Sequence, residues 1–178
     1  MGALRVFVAA VDGMNEAIGR AVAWLTLGTV LVCFAVVVLR YGFGIGFIWL
    51  QELYVWQHAL VFMLGAGYTL LHNGHVRVDL FYGSAPARRR AWMDIVGTVL
   101  FLIPWLLVLA VESTGFILNS WAIREGSAQA GGLPGAYLMK TAVWAFCLLV
   151  GLQGLSLMAR RALFLAGDDR YAPGEAAH

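Results

Sequence analysis

The stretch Ala21–Leu39, AVAWLTLGTVLVCFAVVVL, runs from Arg20 to Arg40 without one charged residue. At a rise of about 1.5 Å per residue, about 20 such residues cross a hydrocarbon core roughly 30 Å thick. No water is present there to satisfy a free N–H or C=O, so an apolar run of this length must be a helix that bonds its own backbone. Three further runs share this character. Leu53–Leu71 lies between Glu52 and His72, Ile95–Val111 between Asp94 and Glu112, and Thr141–Ala159 between Lys140 and Arg160. The third is short as an uncharged run, and Ser113–Leu118 extends it past Glu112. Segments of alternating polarity, the mark of a membrane barrel, are missing.

Composition agrees. Of 178 residues, 61% are hydrophobic and 12% charged, and the mean hydropathy is +0.79. A soluble domain would need more charge to cover its surface. The expected fold is an all-α integral membrane protein with four transmembrane helices. Residues 1–165 form one domain with spans near 20–40, 52–72, 92–117 and 137–160, and residues 166–178 form a polar tail. The tail is expected to be disordered. Leu4–Gly19 patterns as a short N-terminal interfacial helix, with Val8, Val11, Met14 and Ile18 on one face and Asp12 and Glu16 elsewhere. These charges, and the late start of the first apolar run, make that run a retained anchor rather than a cleaved signal. Tyr41–Leu50 is rich in glycine and aromatics and reads as an outer interfacial segment.

The basic residues set the orientation. With the N-terminus in the cytoplasm, nine fall inside: Arg5, Arg20, Arg77, Arg88, Arg89, Arg90, Arg160, Arg161 and Arg170. Only Arg40, Arg124 and Lys140 fall outside, so the expectation is N-in and C-in. Arg88–Arg90 should then rest against anionic headgroups.

Chemistry is sparse. The chain has no nucleophile elbow, zinc-protease helix, phosphate loop or dinucleotide turn. Its aqueous loops are too short to enclose an active site, so no enzyme activity is expected. Cys33 and Cys147 lie in apolar runs without ligand spacing. Haem would need histidines on facing helices, and only His58 lies inside a span; His72 and His75 fall at the inner end of the second. A net charge of +2 gives no basic field for nucleic acid. Glu112 is the deepest ionisable residue; its expected partners are Lys140, Arg40 or a partner subunit near the outer interface, and the sharper alternative is a coupling-ion site. No internal repeat marks a complete secondary transporter. The chain therefore reads as one subunit of a larger transport complex. The alternative is a small standalone channel or exporter working as a homo-oligomer.

Three stretches, in order, carry a resemblance. Arg40-Tyr41 closes the first span and is followed by Trp49-Leu50-Gln51-Glu52-Leu53. Gly65 leads on to Gly74-His75-Val76-Arg77-Val78-Asp79. Glu125-Gly126-Ser127 precedes Gly132-Leu133-Pro134, ahead of the last span. From about Asn15 to Arg161 the chain resembles the small Q subunit of tripartite ATP-independent periplasmic (TRAP) transporters. The resemblance implies a multi-pass subunit of the bacterial inner membrane. It also implies two partners: a periplasmic solute-binding protein and a large M subunit that carries an organic anion, such as a carboxylate, with sodium. This chain would hold no cofactor, and sodium coupling would belong to M. Its job would be to scaffold M in the lipid bilayer. The motif residues Arg40, Trp49, Glu52, His75, Arg77, Asp79, Glu125 and Pro134 would be structural or face the partner. Arg40 and Glu52 are expected to fix the Tyr41–Leu50 segment, through each other or through M. Arg77 and Asp79 alternate along the loop and can share one side.

Overall fold

A computed structural model describes residues 2–76 and 82–173. Among these residues the chain is helical and contains no strand. Helix α1 is Gly2–Gly42, α2 is Ile48–Leu71, α3 is Ala87–Ala122 and α4 is Ala136–Leu165. A short 3-10 turn, Asp169–Tyr171, follows α4. Three helices, α1, α3 and α4, are long and apolar enough to cross a membrane. The fourth expected span, α2, is not among them. It has 24 residues, but Gln51, Glu52, Gln57 and His58 crowd its first half and dilute its apolar character.

The helices run up, down, up and down. Asp12 near the start of α1, His72 at the end of α2, Asp94 near the start of α3 and Arg160 near the end of α4 gather at one end of the bundle. Glu52, the loop after α3 and Lys140 gather at the other. Helix α4 packs on α1, α2 and α3, and α1 packs on α2. The described basic residues divide between these two ends as the sequence does.

The expected separate interfacial helix does not exist. Residues 2–42 form one continuous helix of 41 residues, about 60 Å long at 1.5 Å per residue. Its buried face is Val8, Val11, Asn15, Gly19 and Val22, shifted from the predicted Val8–Val11–Met14–Ile18 stripe. The shift has a physical cause. This face meets a polar strip on α4, so a buried Asn15 is better matched there than Met14. Because Glu16 meets His72, the first 15 residues run past the end of α2 alongside the end of α4.

The tail is also more ordered than expected. Its residues through Pro173 fold back on the bundle: Arg161 Nη1 donates to the Tyr171 carbonyl at 3.2 Å, and Arg5 pairs with Asp168 at 2.8 Å. Helix α3 widens into a π-helical segment at Thr98–Leu102, just before Pro104. Proline has no N–H to return to the preceding turn and its ring crowds that turn's carbonyl, and the wider winding relieves both.

Close approach at glycine sets the packing around α4. A Cβ at Gly67 would press on the Asn15 amide and lie 3.3 Å from the Leu149 carbonyl. A Cβ at Gly154 would lie 2.8 Å from Leu102 Cδ2. In lipid, helices are held by such contacts and by polar pairs rather than by hydrophobic burial. At Gly151 a Cβ would meet only Leu106, at an ordinary 3.8 Å. Gly67→Ala is therefore expected to lower the unfolding midpoint in detergent, at a cost of about 1–3 kcal/mol for overpacking. Gly151→Ala should leave it unchanged. Intrinsic tryptophan fluorescence during thermal unfolding checks both.

Candidate functional site

Polar side chains are scarce in this chain, so where they meet is informative. They form two ties, one at each end of the bundle.

At the end bearing Arg40, the tie begins on α2. Glu52 lies in the first turns of that helix and reaches across to the loop joining α3 to α4. The Leu133 backbone N–H donates to Glu52 Oε2 at 2.6 Å, and the Ser127 hydroxyl donates to Glu52 Oε1. The loop is itself folded around these groups. Ser127 N–H donates to the Leu133 carbonyl at 3.1 Å, and Gln129 N–H to Ser127 Oγ at 3.0 Å. Gly132 leaves the room: a Cβ there would stand 2.6 Å from Glu52 Oε2. Gly135, at φ 97°, then turns the chain into α4. Beside it Lys140 pairs with Glu125 at 2.5 Å and stands 3.8 Å over the Phe116 ring. Trp121 Nε1 donates to Thr141 Oγ1 at 2.9 Å. The Lys140 ammonium holds the Glu125 carboxyl below its ordinary value of 4.5.

This cluster joins two of the motifs that stood apart in the sequence. Glu52 comes from one, and Glu125, Ser127 and Leu133 come from another, with Pro134 next to the contact. Arg40 is exposed and has no ion pair among the described residues, so the expected Arg40–Glu52 pair does not form. Trp49 sits on the surface against Phe47, with ring centroids 6.1 Å apart. Glu112 does not meet Lys140 as expected, because Lys140 is held by Glu125.

The second tie lies at the opposite end. Asp12 accepts from Gln153 Nε2 at 2.9 Å, Ser156 Oγ at 2.8 Å and Arg160 Nε at 2.9 Å. Asn15 Nδ2 donates to Gln153 Oε1 at 2.8 Å. Asn15 and Gln153 are 0% and 2% exposed. Next to them Arg161 Nε donates to Asp94 at 2.6 Å, and the Tyr82 hydroxyl to the same carboxylate at 3.1 Å. Glu16 meets His72 at 2.6 Å. His72 thus pairs at the end of α2, where the sequence put it. His75 Nε2 lies 3.4 Å from the Ala66 carbonyl. Arg77 and Asp79 lie outside the described residues.

Sequence reading missed this second tie. Its signal was present as spacing: Gln153, Ser156 and Arg160 fall at i, i+3 and i+7, and Asp12 and Asn15 at i and i+3, each set on one helix face. Each carboxylate in both ties already accepts hydrogen bonds from its neighbours, and among the described residues no group of three or more His, Cys, Asp or Glu is placed to hold a metal ion. The arrangement suits holding helices in register.

Fold and composition together define a helical membrane protein with several apolar helices, tied to one another by polar groups at both ends. Residues 29–164 match the family profile described as tripartite ATP-independent periplasmic transporters, DctQ component. The match spans most of the chain, and the protein belongs to that family, the small membrane component of TRAP transporters. No curated protein and no solved structure matches the chain.

Glu52→Ala leaves the Leu133 N–H without its acceptor, a loss of about 1–3 kcal/mol for a shielded group. The expected outcome is faster hydrogen exchange and earlier proteolysis across residues 125–135, with α2 and α4 still helical. The Glu125–Lys140 pair carries a pH signature. Its carboxyl is depressed in the folded state, so its contribution is complete above 4.5 and is lost only as pH falls through the lower folded value. Loop protection from exchange should therefore persist to below 4.5, and Glu125→Gln should remove that pH-dependent step.

Proposed function

We propose that this chain is the static small subunit of a TRAP-type uptake transporter in the bacterial inner membrane. It crosses the membrane four times, α2 included, with both ends in the cytoplasm. It scaffolds the large membrane subunit, which carries an organic anion of the carboxylate class with sodium. A periplasmic solute-binding protein delivers that anion.

The observation that carries this reading is where the polar groups are placed. They tie the helices to one another at both ends, while broad apolar faces of α1 and α3 stay uncovered. A rigid bundle with an apolar exterior suits a reference frame against which another domain moves. The four-crossing reading of α2 rests on its antiparallel fit between α1 and α4, with Glu52 at one end of the bundle and His72 at the other. The cytoplasmic assignment rests on the same basic asymmetry between the ends. A homo-oligomeric channel would need a polar path, and most of the described polar groups are paired within one chain at its two ends.

Topology and dependence are tested together. Reporter fusions at Gly131 are expected to show periplasmic activity, and fusions at Arg88 cytoplasmic activity. Liposomes holding only this chain should show no sodium-driven uptake, and adding the large subunit and the binding protein should create it. Uptake by this chain alone would overturn the proposal.

A further inference from the structure

Glu112 is the one acidic side chain in the outer half of α3. It lies ten residues before the end of the helix at Ala122, about 15 Å inside that end at 1.5 Å per residue. Phe101, Trp105, Val108 and Glu112 follow at intervals of four, three and four, so they share one helix face. Phe146 of α4 meets the Trp105 ring edge-on at 5.9 Å, and most of the face stays exposed. Phe101 is 73% exposed, Trp105 53% and Val108 62%, and Glu112 is exposed as well.

The reason lies in the packing. Helix α3 rests on α4, and α2 rests on α1 and α4, but α2 and α3 share no packed interface. A lateral groove of about 550 Å³ remains, lined by Leu70, Gly97, Phe101, Trp105 and Leu157. Gly115 stands three residues beyond Glu112, with open space where a Cβ would be.

Among the described residues no cation is placed on Glu112. Lys140 stands over the Phe116 ring, one turn away, but Glu125 already holds it. Among the described residues Glu112 has no ion pair. Carboxylates in membrane helices are rare, and nearly all are paired or face a polar cavity. A counter-charge is therefore expected from outside the chain. A second copy docked through this same face about an axis normal to the membrane would bring two Glu112 carboxylates to one depth, which disfavours it as the partner.

We propose that the Phe101–Trp105–Val108–Glu112 face of α3 is the docking surface for a membrane helix of the large subunit, and that this helix places a lysine or arginine on the Glu112 carboxylate. The proposal rests on the small-subunit reading above and adds the surface and the chemistry of the contact. The groove takes apolar side chains of the incoming helix, Gly115 allows close approach, and the charge pair fixes register along the helix axis.

The test uses the whole transporter in its own membranes. A photo-crosslinking amino acid is placed at Val108, and a control at Leu148, which is exposed on α4. The expected result is a crosslink to the large subunit from Val108 and not from Leu148. Glu112→Lys should cut co-purification of the large subunit by about tenfold or more, as for loss of a strong interface residue. Glu112→Gln, which keeps shape and removes charge, should give a smaller loss. If the large subunit crosslinks from Leu148 but not Val108, the complex is real and this surface is wrong. Crosslinks from Val108 only to lipid or to a second copy also overturn the surface. If the large subunit fails to co-purify with the unaltered chain, the small-subunit reading falls with it.

Discussion

A polar group removed from water must find a partner inside the protein, and in a chain this apolar there are few partners to find. Asp12 shows how the constraint organises the bundle. Its carboxylate gathers the Gln153 amide, the Ser156 hydroxyl and the Arg160 guanidinium from one face of α4. That set exists only if α1 and α4 lie antiparallel at one axial offset and one rotation. Gln153 then turns its oxygen to Asn15, which places α1 against Gly67 of α2. One carboxylate and its donors thus specify how three helices meet, where apolar packing alone would tolerate sliding.

The opposite end obeys the same constraint with different parts. There the partners are a helix and a loop, so the tie closes a turn rather than a helix pair. Glu52 satisfies a backbone N–H and a hydroxyl that the 123–135 connection cannot satisfy internally. Between the two ties the helices are apolar and meet through glycine. The result is a bundle tied at both ends by polar contacts and largely apolar along its sides.

Much of this was legible in the sequence, and the failures share a cause. Apolar runs bracketed by charge located α1, α3 and α4, because span length is set by the bilayer and not by neighbours. Whether α2 crosses was less legible, since Gln57 and His58 interrupt its apolar pattern. The joining of residues 2–19 to the first span was not legible either. Asp12 and Glu16 look like solvent-facing charges until Arg160 and His72 are brought to them. The fold brings the motif residues Glu52 and Glu125 to the same end of the bundle, but the partner of Glu52 was not foreseen. A backbone N–H has no letter in a sequence. Ser127 and Leu133 therefore gave no hint, while Arg40 offered a charge that the fold places elsewhere.

The Glu52 contact with Leu133 passes through the main chain, and this makes the loop a length gauge. The carboxylate is blind to which side chain stands at 133, so leucine there can vary freely as far as this bond is concerned. It is not blind to proline. The next residue is Pro134, which has no N–H to give. Deleting one residue between Ser127 and Leu133 would slide Pro134 opposite Glu52 and leave a carboxylate oxygen facing a ring instead of a donor. Substitutions at position 133 should therefore be common among working variants, and single-residue deletions in the connection rare.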